Sequence, residues 1–141
     1  MRIVNVVDEF HPYAGYENNV LSKFMVKLGH EYIILSTRYD IHKKYYTSFL
    51  GIDNIEEKDK VFEEKTGVEV IRNNAHCIIS GRVIWKYREF KSSLKFINPD
   101  IVFFCGNDTY VFILFFLLLG QIMKDSHETL YKKSTIVSTK K

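Results

Sequence analysis

The chain has 141 residues, of which 46% are hydrophobic and 26% charged, a composition typical of a globular domain and unlike that of a disordered or collagenous chain. Its length suits one domain with one core. The formal net charge is +3, and basic and acidic residues balance up to residue 120, so the excess lies in residues 121–141. Because nucleic-acid-binding proteins normally carry their basic excess on the folded surface, this distribution argues against nucleic acid as a partner.

Three features bear on the compartment. The N-terminus "MRIVNVVDEF" lacks the charged stretch, apolar core and cleavage site of a secretory leader. Cys77 and Cys105 form no CxxC pair, which favours reduced, buried thiols. An uninterrupted apolar run extends from Val111 to Leu119, whereas a membrane span needs about 20 residues. We therefore expect a cytoplasmic protein, with peripheral membrane association as an alternative.

The first third of the chain predicts a strand, a helix and a second strand. Residues 2–7, "RIVNVV", are short and apolar, as expected of a buried strand, and residues 32–36, "YIILS", have the same character. Between them, residues 17–28 carry an apolar stripe at helical spacing, made of Val20, Leu21, Phe24, Met25 and Leu28. A strand, a helix and a strand in about 35 residues predict a parallel βαβ unit with a right-handed crossover.

The middle of the chain is less regular. Residues 38–66 mix charges with aromatics and show no sustained period, so we expect a mobile insertion there. Residues 68–72, "VEVIR", read as a third strand, and apolar residues at steps of four and three predict a helix over 82–97. A fourth strand is expected at 100–104, "DIVFF".

The last part of the chain continues the alternation of predicted strands and helices. It predicts an apolar helix over 109–123 and then a polar, basic tail over 124–141, within which 134–139 has the composition of one last strand. The whole pattern predicts an α/β fold with a doubly wound, mainly parallel, Rossmann-like sheet formed by residues 1–123.

Several kinds of chemistry are excluded by spacing. The glycines are too far apart for a dinucleotide-binding fingerprint or a phosphate-binding Walker loop, and there is no GxSxG elbow. The histidines show no ligand spacing, so we expect neither a metal nor a cofactor. What remains are the carboxyl ends of the strands, where open parallel sheets bind their ligands.

The first such strand end is "DEFHPYAGYEN". Gly15 opens the helix that starts near Glu17, and the free N–H groups of that helix could meet an anion or a sugar hydroxyl. Glu17 could cap the helix or bind hydroxyls, while His11 is a candidate general base with Asp8 as its partner. The alternatives are a tight turn with an N-cap and no ligand, and a solvated loop that holds both side chains.

The second strand end is "CGND". Gly106 permits close approach of a ligand to the backbone, and Asn107 and Asp108 could bind a substrate. The alternative is that Asn107 and Asp108 only cap the following helix.

The segment 82–97 also carries a row of basic residues. It contains one acidic residue, Glu89, and five basic ones: Arg82, Lys86, Arg88, Lys91 and Lys95. Such a helix could rest on anionic lipid, and the alternative is an ordinary solvated face.

The opening "MRIVNVVDEFHPYAGYENNVLSKFMVKLGHEYIILSTR" resembles the start of family 4 glycosyltransferases of the GT-B fold, with a loop containing proline, a glycine turn with a nearby Glu, and a helix that ends in "LGHE". The segments "GVEVIR", "SGRVIW" and "NPDIVFFCGN" follow in the order of that family's third strand, long helix and fourth strand end. The resemblance covers roughly residues 1–120 and implies a single GT-B lobe, the N-terminal, acceptor-side domain.

The resemblance also implies a function. Gly15 and Tyr16, with Glu17 beside them, would approach the substrates, and a glycan or lipid-linked acceptor would receive a sugar from a nucleotide-sugar. In the family the donor binds mainly in a C-terminal domain, which we expect to be absent from this chain, so we expect this lobe to be inactive alone. The alternative is a non-catalytic module that pairs with a separate donor-binding chain.

Overall fold

The structure, a computed structural model, describes residues 1–38, 54–79 and 82–104. These residues form six strands and three helices. The strands are β1 (Arg2–Val6), β2 (Glu31–Thr37), β3 (Glu69–Asn73), β4 (Ala75–Ile79), β5 (Arg82–Trp85) and β6 (Ile101–Phe104). The helices are α1 (Glu17–Lys27), α2 (Ile55–Thr66) and α3 (Tyr87–Ile97).

Four strands form a parallel sheet in the order β3-β2-β1-β6. The chain crosses from β1 to β2 to β3 in one direction and then returns to place β6 on the other side of β1. Right-handed crossovers therefore place α1 and α2 on one face of the sheet and α3 on the other. The predicted α/β class with a parallel sheet is confirmed, and the strand order is compatible with a Rossmann-like fold.

The core on the α1 and α2 side is built from alternate residues of the central strands. Ile3 of β1 and Tyr32 and Ile34 of β2 are at most 2% exposed, since every second residue of a strand points to the same face. They form one cluster with four further buried side chains, Val7, Phe10, Phe62 and Val68. This packing fixes the end of β1 and the start of the following loop against α2.

The predicted helix at 17–28 is confirmed by α1, but its orientation differs from the prediction. Asn19 and Ser22 are buried, whereas Val20, Phe24 and Leu28 of the predicted apolar stripe are 49%, 58% and 70% exposed. A polar contact explains this orientation. The face of α1 that carries Asn19 is turned toward the loop after β1, where the Asn19 side-chain amide donates a hydrogen bond to the His11 carbonyl.

Two further predictions need correction. Within the irregular stretch 38–66, residues 55–66 form α2, whose buried positions Ile55, Asp59 and Phe62 follow a helical period that includes a charge. The predicted helix over 82–97 begins only at Tyr87. Residues 82–85 instead form β5, which pairs with β4 as an antiparallel hairpin, because "RVIW" is β-branched and aromatic and meets a matching strand at 75–79.

The other predicted strands lie close to their expected bounds, with β3 at Glu69–Asn73 and β6 at Ile101–Phe104. The apolar helix predicted at 109–123 and the last strand predicted at 134–139 lie outside the described residues. In the part of the chain that the structure describes, no helix has the length and apolar character needed to cross a membrane.

Candidate functional site

The loop that follows β1 lies at the carboxyl edge of the sheet, between the end of β1 and the start of α1. Gly15 is exposed in this loop and has a φ of +70°, a backbone conformation that favours glycine. A Cβ atom added there would meet nothing within 4 Å. The turn itself therefore explains the glycine, and the space around it is open to a ligand.

The start of α1 is exposed and lacks a side-chain cap. Tyr16 is the N-cap in an extended conformation, and its side chain makes no capping hydrogen bond. Its carbonyl oxygen accepts from the N–H groups of Asn19, at 2.9 Å, and Val20, at 3.4 Å. Glu17 is exposed in the first turn and places a negative charge beside the positive end of the helix.

His11 lies inside the loop and is only 3% exposed. Its Nδ1 accepts from the N–H of Tyr13 at 3.3 Å, and its carbonyl accepts from the Nδ2 of Asn19 at 2.8 Å. Burial, followed by the charges of Arg72 and Lys58, lowers the pKa of the His11 imidazole. At neutral pH the ring is therefore uncharged, and its contacts connect the loop to α1.

Asp8 is buried at the same edge and connects three elements. Its Oδ1 accepts from the indole Nε1 of Trp85, in β5, at 2.8 Å. Its carbonyl accepts from the hydroxyls of Thr37 at 2.6 Å and Ser36 at 3.4 Å, both at the end of β2. Asp8 thus joins the end of β1 to the second strand and to the β4–β5 hairpin.

Arg72, in β3, is a site residue that the sequence analysis missed. Its guanidinium forms a two-pronged ion pair with Asp59 of α2 and donates to the carbonyls of Thr37 at 2.9 Å and Phe10 at 3.0 Å. The side chains of Arg72 and Asp59 are 10% and 9% exposed. Burial raises the pKa of the Asp59 carboxyl, and the hydrogen bond from Arg72 opposes that rise.

One sequence signal could have found this pair. Asp59 stands between Ile55 and Phe62 at the spacing of one helix face, and an acidic residue on an apolar face calls for a buried basic partner. Arg72 at the end of the apolar run "VEVIR" is such a partner.

The predicted site residues therefore fall into two layers. Asp8 and His11 are buried and hold the loop, while Gly15, Tyr16 and Glu17 are exposed at its surface. Gly106, Asn107 and Asp108 lie outside the described residues. The strand that precedes them, β6, ends at Phe104, which pairs with Val6 of β1.

A cleft of about 340 Å³ lies beside the Arg72–Asp59 pair, between α2 and the strands β2 and β3. It is lined by charges of both signs, among them Arg38, Lys60, Glu56 and Glu63, and so favours neither an anion nor a cation. Within the described ranges, no three His, Cys, Asp or Glu side chains are grouped so that they could hold a metal ion.

Open parallel sheets bind their ligands at the carboxyl edge, and the exposed loop that contains Gly15 lies at that edge of this sheet. Comparisons of the chain with protein-family models, curated proteins and solved structures found no match. The function is therefore inferred from the geometry of the loop.

Proposed function

We propose that this chain is the acceptor-side lobe of a nucleotide-sugar-dependent glycosyltransferase and binds a glycan or lipid-linked acceptor at the β1–α1 loop. One observation carries the proposal. The loop combines the exposed turn at Gly15, a helix start without a side-chain cap and the exposed carboxylate of Glu17. Beneath them, buried side chains such as Asp8 hold the loop in place by hydrogen bonds. The order of the strands supports it, because β1 and β6 flank the point where the strand order reverses.

The side chains at the surface of the loop suit a sugar. Tyr13 and Tyr16 stand on either side of Gly15 and are 51% and 59% exposed, so their rings offer apolar faces with a polar hydroxyl at the end. The carboxylate of Glu17 accepts hydrogen bonds from hydroxyl groups, and the first N–H groups of α1 donate them. Together they match the alternating polar and apolar surface of a sugar ring.

The charges of the loop favour the acceptor over the phosphates of the donor. Glu17 already provides the negative charge that the start of α1 attracts, and a second anion there would be repelled. The neutral imidazole of His11 supplies no compensating charge. A neutral, hydroxyl-rich ligand meets no such repulsion.

The assignment of the sheet to a particular fold is part of the same proposal. We take the parallel sheet to be one doubly wound GT-B lobe, and the nucleotide-sugar to bind as a substrate in a second lobe or on another chain. Gly106, Asn107 and Asp108 stand two to four residues beyond the end of β6 in the sequence and remain predicted members of the acceptor site. Polysaccharide or glycolipid synthesis is the reaction class that such a lobe would serve.

Calorimetric titration of the whole chain tests the proposal. The probes are maltose, chitobiose and octyl glucoside as acceptors, and UDP-glucose, GDP-mannose and ADP-glucose as donors. We expect an acceptor to bind and Glu17→Gln to weaken its binding by about tenfold, since a hydrogen bond to a neutral amide contributes about 1.4 kcal/mol less than one to a charged carboxylate. Glu56→Gln, which removes an exposed carboxylate from the first turn of α2, is the matched control and should bind as the unaltered chain does.

Three outcomes would contradict the proposal. They are tighter binding of a nucleotide-sugar than of any acceptor, an equal loss in both Glu variants, and no binding by a chain that circular dichroism shows to be folded. Gly15→Val is less suitable as the main variant, because the φ of +70° strains any side chain at that position.

A further inference from the structure

The outer surface of α3 combines positive charge with an exposed aromatic ring. Phe90 and Ile97 are buried and face the sheet, whereas Arg88, Ser92, Lys95 and Phe96 are exposed. We call these four exposed residues, together with the half-buried Lys91, the α3 outer face. It lies on the side of the sheet opposite to α1 and α2.

The charge on the α3 outer face is of one sign. Arg88, Lys91 and Lys95 are its charged members, and the acidic residue of the helix, Glu89, accepts hydrogen bonds from the backbone and side chain of Asn74. The ammonium of Lys91 lies 5.9 Å from the centre of the Tyr87 ring. Among the described residues, neither Arg88 nor Lys95 forms an ion pair. The face therefore presents positive charge to any anionic surface.

Phe96 distinguishes this face from an ordinary solvated one. It is 84% exposed, more than any other large hydrophobic side chain in the described part of the chain. It follows Lys95 directly in the last turn of α3. A solvated helix face gains nothing from an exposed phenyl ring, whereas an interfacial helix places such a ring among lipid headgroups, with basic residues at its sides.

We propose that the α3 outer face docks on an anionic phospholipid surface. In this arrangement α3 lies in the plane of the membrane, Phe96 enters the headgroup region, and the exposed side chains of Arg88 and Lys95 meet lipid phosphates. The helix has 11 residues and is therefore about 16 Å long, enough to contact several headgroups. A lipid surface fits better than a nucleic acid, because basic and acidic residues balance over the first 120 residues. The exposed Phe96 ring beside basic residues is also typical of a helix that lies at a membrane interface.

Co-sedimentation of the full chain with vesicles tests the docking. The vesicles are made of phosphatidylcholine alone or of phosphatidylcholine mixed with phosphatidylglycerol, and each binding curve is repeated at rising salt. We expect binding to the anionic vesicles alone, weakened by salt. The double variant Arg88→Gln/Lys95→Gln should bind roughly 25-fold more weakly, since each basic residue near an anionic membrane contributes about fivefold. Phe96→Ser should weaken binding and leave its salt dependence unchanged.

Matched controls exist on the other face of the sheet. Lys27→Gln/Lys65→Gln removes two lysines from the last turns of α1 and α2, and Phe24→Ser removes an exposed phenyl ring from α1. We expect both to bind vesicles as the unaltered chain does.

Each of the following results would overturn the docking proposal. Binding to both kinds of vesicle alike would show that charge does not direct it. Equal losses in the control variants would show that α3 is not the contact. Tighter binding to single-stranded DNA than to anionic vesicles, with Phe96→Ser without effect, would assign the face to a nucleic acid instead. None of these measurements involves a sugar. A negative result for vesicle binding therefore does not affect the test of the acceptor site.

Discussion

At the scale of single residues, Arg72 organises the carboxyl edge of the sheet. Its guanidinium joins β3 to α2 through Asp59, to the end of β2 through the Thr37 carbonyl, and to the β1–α1 loop through the Phe10 carbonyl. Few side chains other than arginine could make these contacts together, because its donors are arranged in a fixed fork. The exposed layer of the candidate site thus depends on a side chain that is itself only 10% exposed.

We predict that Arg72→Leu destabilises the protein by about 3–5 kcal/mol, because it leaves the Asp59 carboxylate buried without its partner. The free energy of unfolding is measured by chemical denaturation. The double variant Arg72→Leu/Asp59→Leu should recover part of the loss, since it removes the unpaired charge as well.

The exposed ion pair between Arg2 and Glu31 provides the comparison. The Arg2 Nε lies 2.8 Å from a Glu31 carboxylate oxygen, and the side chains are 41% and 51% exposed. Glu31→Gln should therefore lower the unfolding free energy far less than Arg72→Leu does, because solvent screens an exposed pair. Equal losses in Arg72→Leu and Glu31→Gln would contradict the role given to Arg72.

His11 predicts a pH dependence of stability. Its pKa in the folded protein lies below the ordinary value of 6.5, because of burial and then of nearby positive charges. As the pH falls through 6.5, the unfolded chain takes up a proton that the folded chain does not, so the folded state loses stability. Above that pH, the stability from this group is fully present. One such group changes the unfolding free energy by at most about 1.4 kcal/mol per pH unit.

Chemical denaturation is measured at several pH values between about pH 5 and about pH 8, a range centred on the ordinary histidine pKa. His11→Asn should flatten the curve in the window just below pH 6.5, since the amide oxygen can still accept from the Tyr13 N–H but does not titrate. His76→Asn, which replaces an exposed histidine of β4, should leave the curve unchanged. A curve that stays steep in His11→Asn would assign the dependence to other groups.

At the scale of elements, the apolar strands were predictable and the orientation of the helices was not. Each strand of the parallel sheet appears in the sequence as a short apolar run, because strands covered on both faces need apolar residues at nearly every position. The helix α1 was predicted from the spacing of its apolar residues, yet it buries Asn19 and Ser22. The hydrogen bond from Asn19 to the His11 carbonyl depends on a loop conformation that spacing alone does not reveal.

The hairpin β4–β5 shows a second reason why sequence reasoning failed. Val83 continues the steps of four and three that run through α3, so the periodicity extends into a segment that is in fact a strand. What decides its structure is pairing with residues 75–79, a contact between two segments that local spacing does not record. Likewise Gly15 and Glu17 are predicted as site residues from the sequence itself, whereas Arg72 and Trp85 come close to the loop only through the fold.

At the scale of the whole molecule, the described residues form two sheets joined by few polar contacts. The four-stranded sheet contains β1 and β2, each paired on both sides, while β4 and β5 pair only with each other among the described strands. The Trp85–Asp8 hydrogen bond and the ring contact of Trp85 with Phe90 of α3, whose centres lie 5.3 Å apart, connect the hairpin to its surroundings. This arrangement predicts that the hairpin opens while the larger sheet stays folded.

Amide hydrogen exchange tests that separation. In the unaltered chain, amides of β1 and β2 should exchange only through global unfolding, and those of β4 and β5 through an opening of lower free energy. Trp85→Phe removes the indole donor and leaves Asp8 without it, so it should lower both opening free energies by about 1–3 kcal/mol. Ile34→Val, at a fully buried position of β2, should lower the global value alone, by about 0.5–1.5 kcal/mol. If Ile34→Val lowers the opening free energy of the hairpin equally, the two sheets unfold as one cooperative unit and the hairpin cannot move independently of the candidate site.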